Sequence, residues 1–191
     1  MTAFDALFIA FTFAAHVMLL NSQNFYLPPW EVPDITKFYN ESSEIWIVNT
    51  TMPTTEFCKL DFVNRTTADY TNFSRLYFLG STMVRDYLQG VFTLAGKNRE
   101  NCTIYDAMIV HPLNGSAVNT SIETLLFQFQ NYTCGIFAVL LLPVRHEPYY
   151  DIRVKQSTIH APNSSCVKTY QRLTAGTSIT TTYNRSCQDT R

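Results

Sequence analysis

The feature that most constrains this chain is a string of eight short β-type runs at fairly even spacing, each bounded by turn residues. They cover residues 44–51, 56–63, 74–81, 87–94, 104–111, 122–130, 134–142 and 149–156, with connections such as "GKNREN", "HPLNGSAVN", "QNYT" and "PVRHEP". A string of this kind predicts an all-β antiparallel fold, either a sandwich or an up-and-down barrel. Alternation is clean at the end of "IETLLFQFQ", whereas "CGIFAVLLL" is apolar on both faces and so needs a cover on each side. A helix over "SSCVKTYQRLTAG" supplies one cover. Ser165 is placed to cap it, Val167, Tyr170 and Leu173 fall near one face, and Gly176 ends it. A shorter helix is predicted at "VPDITKFYN".

The compartment is legible from three features. The first twenty-two residues, "MTAFDALFIAFTFAAHVMLLNS", carry an apolar run broken only by Thr12 and His16. We read residues 1–22 as a secretory signal and residues 23–191 as one mature domain, although the segment before the run has Asp5 and no Lys or Arg. An uncleaved anchor is the alternative, but the run is short for a span of about 20 residues. Ten of thirteen asparagines lie in N-x-S/T: Asn40, Asn49, Asn64, Asn72, Asn101, Asn114, Asn119, Asn131, Asn163 and Asn184. In a chain that is about one-fifth Ser and Thr, chance gives roughly two or three such sites, so a glycosylated surface is expected. Five cysteines follow, Cys58, Cys102, Cys134, Cys166 and Cys187, and in an exported protein most should pair. The number is odd, and spacing alone leaves the connectivity open.

Several function classes lose their footing here. The mature part has fourteen bases and fourteen acids, so it lacks the basic footprint that nucleic acid demands. No CxxC motif points to zinc or thiol–disulfide exchange, and no cofactor or metal is expected. "GVFTLAGKN" from Gly90 mimics a phosphate loop, but five residues separate its glycines and Asn98 stands where Ser or Thr should hold magnesium. There is no G-x-S-x-G, and His111, His146 and His160 read as turn residues rather than ligands or bases. We nominate no catalytic residue and expect a binding protein rather than an enzyme.

The stretch "YTCGIFAV…YYDIRVKQSTIHAPNSSCVKTYQRLTAG…YNRSCQ" resembles the C-terminal half of the tick salivary lipocalins, the family that includes histamine-binding proteins. The family pattern is a cysteine opening a strand, a hairpin, a Y-E-L-W-like strand, a Pro-containing loop, a helix with a cysteine, and a final cysteine near the terminus. The matching residues here are Cys134, Tyr150-Asp151-Ile152-Arg153, Pro162, Cys166 and Cys187. About sixty residues carry the match well. Upstream, "EIWIVNTTMPTTEFCKLDF" resembles the family's first strands, and the middle of the chain matches only in strand rhythm. The resemblance implies an eight-stranded antiparallel lipocalin-type barrel with a C-terminal α-helix packed outside and a short N-terminal helix. It also implies the disulfides Cys58–Cys187 and Cys134–Cys166, which leave Cys102 as a buried thiol or an intermolecular partner. Loop-closure entropy values these bridges at about 5 and about 4 kcal/mol, as upper-end figures.

A barrel of this kind encloses room for one small ligand. In family members that hold biogenic amines, an acid follows the strand cysteine and a Glu-Leu-aromatic triplet lies on the last barrel strand. Here Gly135 takes the first position and Asp151-Ile152-Arg153 the triplet. Asp151 and Arg153 point the same way on a strand, so Arg153 is expected to neutralise Asp151 and spoil an amine trap. Arg153 itself is read in two ways, as a structural ion pair with Asp151 or as an anchor for the carboxylate of a fatty acid or eicosanoid. Other members hold leukotrienes, or cholesterol in the Japanin-like branch. The expected apolar wall is Trp46, Tyr77, Phe92, Tyr105, Phe129 and Phe137, with Phe62, Phe78 and Phe127 as further candidates. The functional expectation is a secreted salivary lipocalin that sequesters a small hydrophobic host mediator or sterol and dampens host immune defence. The rival is a barrel scaffold that acts through a protein–protein surface on host immune cells or complement.

Overall fold

A computed structural model describes residues 33–95, 104–113, 120–144 and 146–190. The proposed signal, Cys102, Asn101, Asn114 and Asn119 lie outside the described residues. All eight expected strands are present: β1 (Glu44–Thr50), β2 (Glu56–Thr66), β3 (Tyr70–Leu79), β4 (Thr82–Thr93), β5 (Ala107–Pro112), β6 (Thr120–Phe129), β7 (Cys134–Leu142) and β8 (Tyr149–Lys155). Each pairs antiparallel with its sequence neighbour, and β8 pairs with β1. The pairing of β1 with β2 at Glu44↔Phe62, Ile45↔Asp61 and Trp46↔Leu60 closes the barrel. Beyond those three pairs β1 and β2 part. The short strand β9 (Thr180–Thr181) pairs with Asn49 and Thr50 there, and Thr182 accepts a backbone bond from Cys58 at 2.7 Å. The chain's last segment thus caps an otherwise unpaired stretch of barrel edge.

Strands β3 and β4 begin earlier than expected, at Tyr70 and Thr82 rather than at residues 74 and 87. Their ladder runs unbroken from Tyr70↔Val91 to Leu79↔Thr82, around a turn in which Gly80 has φ +60°.

Two helices cover the barrel. The first, α1 (Ile35–Phe38), is capped by Asp34, whose Oδ1 accepts from the Thr36 N–H at 3.1 Å. Its Ile35 and Phe38, with Tyr39 just after it, are fully buried and close one end of the barrel. The second, α2 (Ser164–Leu173), lies outside against β7 and β6. Its cap is Asn163, not Ser165: the Asn163 side-chain Oδ1 accepts from the N–H groups of Ser165 and Cys166, both at 3.0 Å. The buried stripe is Cys166 and Tyr170, with Thr174 following the helix, while Leu173 is exposed. The Cys134–Cys166 disulfide sets that rotation, and the Tyr170 hydroxyl donates to the Tyr150 carbonyl at 3.2 Å. A second disulfide joins Cys58 to Cys187.

The β-layer therefore carries two apolar clusters. One lies inside the barrel, around Phe38, Tyr39, Phe73, Phe92, Met108, Leu125 and Phe137. The other lies outside, between the sheet and the C-terminal segment, around Trp46, Leu60, Ile136, Ile152 and Val154. This double covering explains why "CGIFAVLLL" is apolar on both faces. None of the helices among the described residues is long and apolar enough to cross a membrane.

Candidate functional site

The barrel interior has three storeys, set by strand alternation. The lowest is solid. Phe38 from α1 packs edge-on against Phe137 with ring centroids 5.1 Å apart, and Phe92 stacks on Tyr105 at 6.1 Å. Gly135 is required here: a Cβ on it would fall 2.6 Å from Phe38 and 2.9 Å from Leu125. The position after Cys134 is thus bare because the plug passes directly over it.

The middle storey is a buried ion network. Arg75 grips Asp61 with two bonds of 2.7 Å and donates to Glu123 at 3.0 Å. Arg153 donates to Asp151 at 2.9 Å, to Glu123 and to the Tyr39 hydroxyl, and stands 3.9 Å from Asp61. Its guanidinium also lies 4.3 Å from the centre of the Phe137 ring. The Tyr39 hydroxyl donates in turn to Asp61 at 2.7 Å. Burial alone would raise the Glu123 carboxyl, but the charges of Arg153 and Arg75 outweigh it and hold that group far below the usual carboxylate range. Formally, three carboxylates face two guanidiniums, so the cluster carries one excess negative charge.

The upper storey is hollow. A cavity of about 430 Å³ opens at the end away from α1, within the range that suits one small molecule. Ile47, Leu88, Val110, Leu141, Tyr77 and Tyr149 supply apolar and aromatic wall, and Asp151 and Arg75 border it from the network. Toward the rim the Tyr77 hydroxyl donates to Asp86 at 3.2 Å; burial first and Asp86 second push that phenol up to about 12. Lys59 pairs with Glu56 beside it. Among the described residues two buried polar atoms lack a hydrogen-bond partner, Asp151 Oδ1 and Arg153 Nε, and of the two residues only Asp151, 3% exposed, borders the cavity. A lone buried carboxylate oxygen beside a cavity is costly unless a donor reaches it.

The expected site residues sort by face. Asp151, Arg153, Tyr77, Phe92, Tyr105 and Phe137 are interior, but only Asp151 and Tyr77 border the cavity. Phe92, Tyr105 and Phe137 belong to the plug, and Arg153 is held among acids beneath the cavity floor. Trp46 and Phe129 lie on the outer face. Trp46 sits between inward Ile45 and Ile47, on a strand apolar on both sides, and packs at a tilt against Tyr183 with ring centroids 4.9 Å apart. Phe129 has the same parity as inward Glu123 and Leu125, but a bulge between Leu125 and Phe127 turns the rest of β6 over. Phe62, Phe78 and Phe127 are also outside. Sequence reasoning missed Asp61, Arg75, Glu123 and Tyr39. Charges at three strand positions, Asp61, Arg75 and Glu123, were the available signal, yet nothing local says which charges meet across a barrel.

No protein-family model matches the sequence, and no curated protein does. Solved structures do match. AM182, solved as a serotonin complex, superposes with a TM-score of 0.57 at 18% identity, over 87% of this chain and 97% of that one. Japanin from Rhipicephalus appendiculatus, bound to cholesterol, superposes with a TM-score of 0.52 at 11% identity, over 78% and 97%. At these identities the likeness is one of architecture, and it agrees with the closed barrel and the outer helix described above. The chain has the fold of the tick lipocalins.

Proposed function

We propose that the protein is a secreted, tick-type salivary lipocalin that sequesters a small host mediator in the upper cavity. The mediator meets Asp151 with a hydrogen-bond donor, and an ammonium group suits that oxygen best. The observation that carries this is the unpartnered Asp151 Oδ1 beside the cavity. Arg153 was expected to neutralise Asp151, but it is shared with Glu123, and the network keeps one formal negative charge that a cation would balance. The same geometry weighs against a fatty-acid or eicosanoid carboxylate. Arg153 does not border the cavity, and Arg75, which does, already holds Asp61 and Glu123. Serotonin carries an ammonium and cholesterol a hydroxyl, so the ligands of both similar structures present a donor and neither presents a carboxylate. Secretion and glycosylation are supported by the two disulfides and by the seven described sequon asparagines, none of which is buried. Modulation of host inflammation follows from removal of the mediator and needs no turnover.

The test is a calorimetric titration of protein secreted from a eukaryotic host with serotonin, cholesterol and arachidonate, alongside native mass spectrometry of the purified protein. Serotonin should bind tightest, with arachidonate at least about tenfold weaker, the order expected when a charged hydrogen bond worth about 1.5–3 kcal/mol is missing. Arachidonate binding best would overturn the assignment. A barrel that retains no small molecule yet binds a host immune protein would return the scaffold reading.

A further inference from the structure

Outside the barrel, on the face of β2, β3 and β4, lies a second concavity of about 390 Å³. Leu60, Phe62, Leu76, Phe78 and Met83 form its apolar surface. Phe62 is 39% and Met83 52% exposed, so the groove presents open apolar surface to solvent. α2 covers a different part of the sheet, over β6 and β7. Among the residues that line the groove is one sequon asparagine, Asn64 of Asn64-Arg65-Thr66. It shares the outward face of β2 with Phe62, is exposed, and its carbonyl accepts from the Ser74 hydroxyl at 3.4 Å. That bond turns the amide oxygen to the sheet, and among the described residues Nδ2, the atom that N-glycosylation modifies, donates to nothing.

We infer that Asn64 is a structural glycosylation site whose first sugars lie in this groove and cover it. The inference rests on the secretory reading above. An N-acetylglucosamine has one face of C–H groups and an edge of hydroxyls, so it can lie on Phe62 and Phe78 with its polar edge in water. The other described sequons do not line the groove. A glycan at Asn64 thus does what a covering helix does elsewhere on the sheet: it removes an exposed apolar surface that would otherwise pair with a second molecule.

Met83 gives a site-specific readout, since methionine oxidation follows exposure. The protein is secreted from a eukaryotic host, occupancy at each sequon is measured by peptide mass spectrometry, and peroxide oxidation of Met83 is followed in wild type, Asn64→Gln and Asn72→Gln. Asn64 should be occupied, and Asn64→Gln should oxidise at Met83 at least about threefold faster while Asn72→Gln matches wild type. Trimming wild type to a single N-acetylglucosamine should leave Met83 protected. An empty Asn64 among other occupied sequons, or equal Met83 rates in all three proteins, overturns the inference and leaves the secretory reading standing. No occupied sequon at all overturns both. A concentration-dependent dimer that protects Met83 equally in Asn64→Gln shows that a second copy covers the groove, which also overturns it.

Discussion

Replacing Arg153 with methionine tests the middle storey of the barrel directly. The side chain is 1% exposed, and it holds Asp151 at 2.9 Å, Glu123 more closely, and the Tyr39 hydroxyl. At 2.9 Å and an effective dielectric near 20, one such pair attracts by about 6 kcal/mol before desolvation. Much of that is offset by taking both charges out of water, but removal of one partner leaves the others buried and uncompensated, at a net cost of about 3–5 kcal/mol. In a domain of this size that lowers the melting temperature by about 6–20 °C. The loss also depends on pH. In wild type Glu123 titrates far below its free value, so its contribution is complete above a pH of about 4.5 and fades as pH falls. In Arg153→Met only Arg75 remains to oppose the burial of Glu123, so its folded-state carboxyl is depressed less and the stability it contributes above a pH of about 4.5 is smaller. Guanidinium denaturation at about pH 3 and about pH 7.5, disulfides intact, measures this, with the smaller loss at the lower pH. A loss below about 1 kcal/mol, the worth of an exposed pair, or an equal loss at both pH values, would refute the network as described.

Other perturbations address other storeys. Asp151→Asn leaves two carboxylates against two guanidiniums, so it should fold as well as wild type by thermal denaturation while weakening serotonin about 10–100-fold by fluorescence titration. Gly135→Ala should cost about 1–3 kcal/mol by chemical denaturation, because its Cβ would collide with Phe38 and Leu125 of the plug. Cys134→Ala with Cys166→Ala removes the tether of α2 over a closed loop of 32 residues, and should lower stability by up to about 4 kcal/mol while amide exchange in α2 accelerates more than in β3 and β4. Leu88→Phe and Val110→Phe project bulk into the cavity, and should reduce ligand capture in native mass spectra while leaving melting within a few degrees.

Most of the scaffold was legible in the chain. The eight strands were visible as alternating or doubly apolar runs between turn residues, and the two-sided apolarity of β7 called for an outer cover that α2 supplies. The resemblance to the tick salivary lipocalins supplied both disulfide pairings found here. Strand starts were less clear in β3 and β4, which begin at Tyr70 and Thr82, ahead of the runs that mark them in sequence. The site was only half visible. Asp151 and Arg153 do share the interior face, as a two-residue period requires. Which aromatics join them was hidden by a single bulge in β6 and by the outer layer that claims Trp46.

The sequence by itself determined strand periodicity and the placing of Asp151 and Arg153 on one face, because these are properties of neighbouring residues along one strand. Only the tertiary structure decided that Glu123 from β6 and Asp61 from β2 reach the same point as Arg153 from β8. Barrel closure brings together side chains that lie 30 to 114 positions apart, and no local pattern encodes that distance. The charge balance of the cavity floor, and with it the kind of ligand head it favours, is a property of the closed barrel alone.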